Sequence, residues 1–343
     1  MATHLRFKRH LRFLRDGEVV KVIEGLADGK QLPAGEAFDH LLAALQHAPL
    51  ESDARADLSQ RMNVEPAMID GLLARLFELG LVERFDPETQ GPTRFDRQLL
   101  FFDALAPVQD HAENLARQQR LKDAQVLILG LGGIGHQVAL SLAAAGVGRL
   151  VLVDGDVVEE SNLHRQILFA ASDVGRIKVE AARDGILRLA PACAVEVCVA
   201  QIGSADDWRK VISRYPDARH VMLSADRPVQ LVNWISDARR AFDYHFVKCG
   251  YMNAQGLIGP LLGPDTKGYE ELFASWAPLI DAQPDNIQAF NARAAAPTMA
   301  ASNAIMANIA ALELIKHITQ AGALALFEQR LLLDLNTCSI QTG

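Results

Sequence analysis

The chain has 343 residues, half of them apolar, and its 34 Lys and Arg against 42 Asp and Glu leave a net charge of −8. At roughly 150 residues per domain this suggests about two domains with an ample core, and the acidic balance disfavours a general polyanion binder, so no nucleic-acid partner is expected. The four cysteines, at 193, 198, 249 and 338, form no C-x-x-C pair, which excludes a dense disulfide scaffold and weakens any four-thiolate zinc site.

Residues 1–18 carry five basic side chains but no apolar core before a cleavage site, so no secretory signal is read and a cytoplasmic location is expected. From Leu5 to Glu24 basic and apolar residues alternate around Asp16-Gly17, which predicts a hairpin. Arg6, Lys8, Arg9, Arg12 and Arg15 lie on or beside it, ordinarily a solvated strand face. Amphipathic stretches near Ala34–Gln46, Glu51–Met62 and Glu65–Leu79 predict three helices, the last stopped by Gly80. A short strand, Leu81–Phe85, then enters the Pro/Gly linker from Asp86 to Pro92. Residues 1–90 thus read as a winged-helix-like domain, yet they hold 11 basic and 15 acidic residues, a net −4 unlike a DNA-reading domain.

Residues 91–343 alternate strand and helix patterns, the mark of an α/β domain with a mainly parallel sheet. Strands are expected at Gln125–Leu129, Arg149–Val153, Ala194–Ala200, His220–Ser224 and Phe246–Cys249. Beyond Gly256 come strand-like runs, a polar stretch with few periodic cues from about Gly263 to Arg293, an Ala-rich helix and a closing hairpin from Arg330 to Gln341. The apolar run Ala294–Ile315 contains Pro297, Asn303, Asn308 and Glu313, too polar to face lipid, so no membrane partner is expected. Cys193, Cys198 and Cys249 read as packing residues, His136 as a helix-start residue near the glycine turn, and Trp208, Trp234 and Trp276 as core or peptide contacts.

Gly130-Leu-Gly132-Gly133-Ile-Gly135 follows an apolar strand and opens an apolar helix, the context of a dinucleotide-type phosphate turn. Asp154 ends the next strand 19 residues after Gly135, where a carboxylate binds ribose hydroxyls. NAD and ATP both offer a ribose and phosphates to such a turn. Arg165, within Asp154 to Gln166, and Lys178, at the start of the next helix, add the cations that a triphosphate needs and a nicotinamide dinucleotide does not. Ser224-Ala-Asp226 follows the fourth strand, where Asp226 has the chemistry to hold Mg²⁺; its bland reading is a helix cap before Pro228.

Arg94-Phe-Asp-Arg97-Gln98, Gly130–Gly135, Asp154–Gln166, Gly175–Lys178 and Ser224–Asp226, in this order and spacing, resemble the ThiF/MoeB/E1 activating-enzyme superfamily over about residues 94–343. Val221–Trp234, Gly250–Asn253 and Gly259–Leu262 are similar to its branch of microcin C7 and pantocin A maturation enzymes. The resemblance implies a Rossmann-like E1-type adenylation domain, preceded by a domain that recognises a ribosomal precursor peptide, working as a homodimer. It implies that Gly130, Gly132, Gly133 and Gly135 lie along ATP and that Asp154 holds the ribose. Asp156, Ser161, Asn162, Arg165, Gln166 and Lys178 would surround the phosphates, Asp226 would coordinate Mg²⁺, and Arg97 would reach into the partner's site.

The implied reaction is attack of a peptide carboxylate on the α-phosphorus of ATP. The acyl adenylate is then captured within the peptide, with dehydration or cyclisation, or AMP stays on the peptide as in microcin C7. Where the microcin enzyme carries paired zinc cysteines this chain has Gly268-Tyr-Glu-Glu271-Leu, so no structural zinc is expected. A sulfur-carrier adenylyltransferase or an NAD-dependent oxidoreductase are the alternative enzymes. A nucleotide-sensing transcriptional regulator is the non-enzyme alternative.

Overall fold

The basic and apolar alternation of the first 25 residues produces three strands rather than the single hairpin expected. The structure is a computed structural model that describes residues 3–25, 29–89, 93–273, 277–291 and 296–343. Residues 1–119 and 120–343 form two compact units.

In the first unit, strands β1 (His4–Phe7), β2 (Arg12–Asp16), β3 (Val19–Ile23) and β4 (Gln31–Pro33) precede helices α1 (Glu36–Leu45), α2 (Glu51–Met62) and α3 (Pro66–Glu78). Strand β5 (Val82–Phe85) and helices α4 (Asp96–Leu105) and α5 (His111–Asp123) follow. Asp16 and Gly17 do form the turn: β2 pairs antiparallel with β3, Gly17 takes the left-handed φ of +60°, and β4 joins the far side of β3. β1 instead pairs antiparallel with β5, Leu5 facing Arg84 across the ladder. The reason is apolar burial. Leu5 is wholly buried with Leu45, Leu58, Leu73 and Leu76 of the three helices, whereas β2 is mostly exposed. The linker expected from Asp86 to Pro92 is described only as far as Thr89, where residues 87–89 form one 3₁₀ turn.

Two of the five basic residues near the hairpin turn inward. Lys8 is 3% exposed and its ammonium sits 2.9 Å from both carboxylate oxygens of buried Asp103 on α4. Asp103 also accepts the Val108 N–H at 3.0 Å. Arg6 lies 2.6 Å from Glu83, whose other oxygen is 3.5 Å from His111 Nδ1. Burial works to raise the Glu83 pKa, but the His111 hydrogen bond and the Arg6 charge outweigh it and hold the carboxyl below its usual range. Only Arg9, Arg12 and Arg15 remain outward, Arg9 and Arg15 facing Asp96 and Asp39.

The second unit alternates strand and helix: β6 (Gln125–Leu129), α6 (Gly135–Ala145), β7 (Arg149–Val153), α7 (Lys178–Leu189), β8 (Ala194–Cys198), α8 (Ala205–Ile212), β9 (His220–Leu223), α9 (Leu231–Phe242), β10 (His245–Met252) and β11 (Gln255–Leu262). Then come α10 (Tyr269–Leu272), α11 (Ala277–Asp281), α12 (Asp285–Asn291), α13 (Ala300–Thr319), β12 (Leu331–Asp334) and β13 (Ser339–Thr342). All eight strands form one sheet in the order β13-β12-β11-β10-β9-β6-β7-β8. From β10 to β8 neighbours run parallel, and β11 to β13 extend the sheet antiparallel. The central strands β6 and β7 are continuous apolar runs because helices cover both their faces, and Val126–Ile128 and Leu150–Val153 have no exposed surface.

Three short helices occupy the polar stretch after Gly263 that offered few periodic cues. It is tied down by Arg239, 3% exposed, which donates to the Gly263 and Thr266 carbonyls at 2.8 and 2.6 Å. Trp208 is wholly buried and donates to Tyr244 Oη at 2.9 Å, and Trp234 packs partly buried against the same core. Trp276 and the first residues of the run beginning at Ala294 lie outside the described residues. Cys193, Cys198 and Cys249 are buried. No described helix is long and apolar enough to cross a membrane.

At the amino ends of β9 and β10, His220 and His245 stack beside His317 of α13, with ring centroids 4.4–6.4 Å apart. Burial, then the neighbouring rings, push His220 down to about 3 and His317 to about 4 from an ordinary 6.5, and burial also lowers His245 against the opposing pull of Asp243 and Asp265. The unfolded chain therefore binds more protons below about pH 6.5. Stability is full above that pH and declines as pH falls towards the folded values, by up to ~1.4 kcal/mol per pH unit per histidine. Urea unfolding between pH 7 and pH 4.5 checks this, and His220→Leu should flatten the slope. Lys8→Met should cost ~3–5 kcal/mol by leaving Asp103 charged and buried, and the double variant Lys8→Met/Asp103→Leu should recover most of it in the same assay.

Candidate active site

The sheet order reverses at β6. The chain runs outward from β6 through β7 to β8, then returns to place β9 on the other side of β6, which opens a crevice beyond the carboxyl ends of β6 and β9. Two segments meet there, the Gly130–Gly135 turn after β6 and Ser224-Ala225-Asp226 after β9. They are laced together: Ser224 and Ala225 donate backbone N–H groups to Leu129 O at 3.0 and 3.1 Å, and Ser224 Oγ donates to Gly130 O at 2.6 Å.

The four glycines serve different needs. Gly130 has φ +90°, and a Cβ there would lie 2.7 Å from Ala225 N; at Gly133 it would lie 2.0 Å from Asn303 Nδ2, and at Gly135 1.9 Å from Gly130 O. Those three are demanded by packing. A Cβ on Gly132 would meet nothing within 4 Å, so its bare backbone faces open space in the crevice.

Asp154, at the end of β7, accepts Leu131 N–H at 2.6 Å and Asp156 N–H at 2.8 Å, tying the glycine turn to the neighbouring strand while its remaining lone pairs stay available to a ligand. Lys178, the first residue of α7, is 6% exposed and pairs with Asp156 at 2.9 Å. Arg165 donates to Ser161 O at 2.6 Å. Asn162 is 5% exposed and accepts the Glu159 N–H at 3.2 Å, so it braces its own turn. Gln166 is 2% exposed with no partner for Oε1 among the described residues. Asp226 is exposed and does not cap α9, whose N-cap is Gln230.

Two neighbouring cavities lie along this edge. One, of about 520 Å³, reaches towards β7 and is lined by Gly130, Asp154 and Gly155. The other, of about 880 Å³, reaches towards β10 and is lined by Ser161, Arg165, Gln166 and Lys248 to Met252. Gly132, Asp156, Lys178 and Ser224 to Arg227 line both. Ten of the residues singled out in the sequence therefore converge here: Gly130, Gly132, Gly133, Asp154, Asp156, Ser161, Arg165, Gln166, Lys178 and Asp226. Gly135 and Asn162 support the crevice without lining it. Arg97 stands exposed on α4 in the other unit and lines neither cavity. The arrangement suits a nucleotide, with a carboxylate at the ribose end, a bare backbone turn and two cations midway, and a second chamber beyond.

Two residues of the site, Asn303 and Lys248, carried no sequence signal of their own, and a third, His136, was legible only as a neighbour of the glycine turn. Asn303 of α13, 1% exposed, closes against Gly133 and is held by Thr298 at 3.0 Å. Lys248 enters from β10. His136 donates Nδ1–H to Gly132 O at 2.8 Å, and its pKa is lowered by burial against the opposing pull of that carbonyl. Its neutral Nε2 has no partner among the described residues.

The crystal structure of Escherichia coli MccB with ATP superimposes with a TM-score of 0.79 at 25% identity, over 99% of this chain and 96% of that one. MccB is described as the microcin C7 biosynthetic enzyme and has also been crystallised with N-formylated MccA. PaaA superimposes with a TM-score of 0.74 at 25% identity over 98% of both chains. Among sequence relatives, Mycobacterium tuberculosis MoeZ, a probable adenylyltransferase/sulfurtransferase, is 51% identical over 80 residues, 23% of this chain and 20% of MoeZ. Drosophila yakuba MOCS3, an adenylyltransferase and sulfurtransferase, is 46% identical over 145 residues, 42% of this chain and 29% of MOCS3. This chain thus spans only 15–29% of the length of the curated relatives it matches. The profile of the ThiF family matches residues 95–342.

Gly133→Ala should weaken ATP binding at least about tenfold by driving a methyl into Asn303, and Asn303→Ala in the same chain should restore part of it. Gly135→Ala meets backbone and should not be rescued by that change. Calorimetric titration of the three variants with ATP checks both outcomes.

Proposed function

Because the chain belongs to the ThiF family, we propose that it catalyses the ATP-dependent adenylation of a carboxyl group on a ribosomally made precursor peptide. The observation that carries this reading is the pair of neighbouring cavities sharing Gly132, Lys178 and Asp226 in their walls. The β7-side cavity suits adenosine, the shared wall suits the phosphates, and the β10-side cavity suits the acceptor. In the reaction a peptide carboxylate oxygen attacks the α-phosphorus, the bond to the bridging oxygen breaks, and pyrophosphate leaves with its electron pair. Lys178 and Arg165 offset the charge that builds on the phosphate oxygens, and Gly132 lets backbone N–H groups approach them. Mg²⁺, when bound, would neutralise the pyrophosphate, with Asp226 as its protein ligand and phosphate oxygens and water completing the shell. Arg97, exposed on α4, is assigned to the partner's site in a homodimer.

The N-terminal unit is assigned to the precursor. In its three-stranded sheet β2 has a free edge, and Arg12 stands exposed on it with no carboxylate of the described residues within ion-pair distance. An extended acidic leader would add there as a strand. MccB's crystallisation with MccA supports a peptide partner. After activation we favour capture of the acyl adenylate inside the peptide, with loss of water and release of AMP, over stable AMP transfer, because Gly268 to Leu272 departs from the microcin pattern. The MoeZ and MOCS3 similarity supports a second reading, adenylation of a sulfur carrier. Against it, the chain holds no cysteine between Cys249 and Cys338 to take up an activated acyl group. An oxidoreductase would have no use for Arg165, Lys178 and Asp226 together.

Mass spectrometry of a short peptide encoded beside the gene, incubated with enzyme and ATP, tests the proposal. A loss of water with free AMP is expected, a gain of AMP indicates stable transfer, and an unmodified peptide alongside an adenylated sulfur carrier selects the second reading. Asp226→Asn should abolish pyrophosphate exchange without unfolding the chain, while Arg165→Ala and Lys178→Ala should each slow it by about 10²–10³. Arg12→Glu should raise the KM for the peptide and leave kcat nearly unchanged. Mixed Arg97→Ala and Asp226→Asn subunits should regain roughly a quarter to a half of activity if Arg97 acts across a dimer.

A further inference from the structure

Among the described residues, Lys248 is the one lysine of the crevice that the adenylation chemistry leaves without a task. It lies at the carboxyl end of the parallel part of β10, in register with Leu223 of β9, and lines the β10-side cavity but not the β7-side one. It is half-buried, and no carboxylate of the described residues lies within ion-pair distance of it; its named contact is the Tyr269 ring, 5.4 Å from Nζ to the centroid. By contrast Lys178, on the shared wall, is already paired with Asp156. Withdrawing an ammonium from water beside buried Cys249 is unfavourable unless an anion arrives to meet it. The phosphates are served by Lys178 on the shared wall and by Arg165, and Lys248, which lies off that wall, is left for an anion of the molecule that fills the β10-side cavity.

That anion is not the attacking carboxylate. Attack converts the carboxylate into a neutral acyl group, so a cation reserved for it would bind the ground state better than the transition state and slow the step. A cation placed here stays useful only if its partner keeps its charge after activation. The same cavity is also lined by Tyr251, Met252 and Leu257, suited to the methylenes between two such groups.

We propose that Lys248 sets acceptor specificity by binding a second carboxylate on the acyl unit being adenylated. The substrate class is then an acidic acceptor in which a free carboxylate lies a few bonds from the activated carboxyl, as in a glutamyl or aspartyl unit. This rests on the adenylation reading and adds to it the charge of the acceptor.

The test needs no knowledge of the natural peptide. The full chain is titrated by calorimetry with 5′-O-(N-glutarylsulfamoyl)adenosine, a mimic of the acyl adenylate whose glutaryl arm ends in a free carboxylate, and with the isosteric analogue ending in a carboxamide. ATP is the control. The wild type should prefer the acid at least about tenfold, the increment of one charge-assisted hydrogen bond. Lys248→Met should erase that preference by weakening the acid alone, with the amide and ATP unaffected, and Lys248→Arg should keep part of it. Equal binding of acid and amide to the wild type overturns the assignment while adenylation stands. Equal weakening of ATP and both analogues in Lys248→Met and Lys248→Arg also overturns it, and makes Lys248 a phosphate or structural residue. Failure of the wild type to bind ATP or either analogue sinks the adenylation reading together with this one.

Discussion

The contact on which the site depends is the close approach of the Gly130–Gly135 turn to three neighbours, the Ala225 backbone, the Asn303 amide and the Asp154 carboxylate. Each removes a degree of freedom. Ala225 stops β6 and β9 from separating at their carboxyl ends, Asn303 fixes the turn against α13, and Asp154 ties Leu131 to the end of β7. A loop held from three sides presents its N–H groups already arranged, so little reorganisation remains when a phosphate binds. His136 adds a fourth restraint by holding the Gly132 carbonyl. The same crowding explains why three of the glycines tolerate no side chain, while the one with open space around it lines both cavities.

The crevice divides charge along its length. Cations and carboxylates alternate at the shared wall, where Lys178 meets Asp156 and Asp226 stands free of any helix cap, so the phosphate region is near balance before a ligand enters. The β10-side chamber adds Arg165 and Lys248, and no carboxylate of the described residues lies within ion-pair distance of Lys248. A ligand that is anionic at both places suits this distribution, and a neutral dinucleotide ring in the second chamber does not.

Away from the site, both units bury charge or titratable rings for reasons of architecture. Lys8 and Asp103 hold α4 to the β1 end of the first unit, and the cost of desolvating both is offset by the two oxygens shared with one ammonium and by the Val108 N–H. At the opposite edge of the main sheet from the crevice, His220, His245 and His317 pack as neutral rings. Their proton affinity is lowered where the sheet closes on α13, which makes acid sensitivity a property of the scaffold.

Local pattern alone was enough for the strands β6 to β9, because each is a short, mainly apolar run bounded by turn residues, with β6, β7 and β9 buried on both faces and β8 at the sheet edge, and for the three N-terminal helices, whose apolar residues recur at helical spacing. The glycine turn, Asp154 and the downstream cations were legible for a related reason: a phosphate turn must sit directly between a strand and a helix, so its residues are contiguous. Pairing over long distance was not legible. Nothing in the alternation of residues 4–23 says that β1 will leave its neighbour for β5, since that choice is made by the apolar faces of three helices that come later in the chain. Lys8 reads as a solvated strand residue until Asp103, far along the sequence, supplies its counter-charge. Asn303 and Lys248 carry no motif and acquire meaning only from what the fold sets beside them, and His136 is legible only as a neighbour of the glycine turn. Sequence spacing determined which groups reach a phosphate, whereas the tertiary structure decided which of the remaining polar groups are satisfied and which still await a partner, because satisfaction depends on neighbours that only folding brings within hydrogen-bond distance.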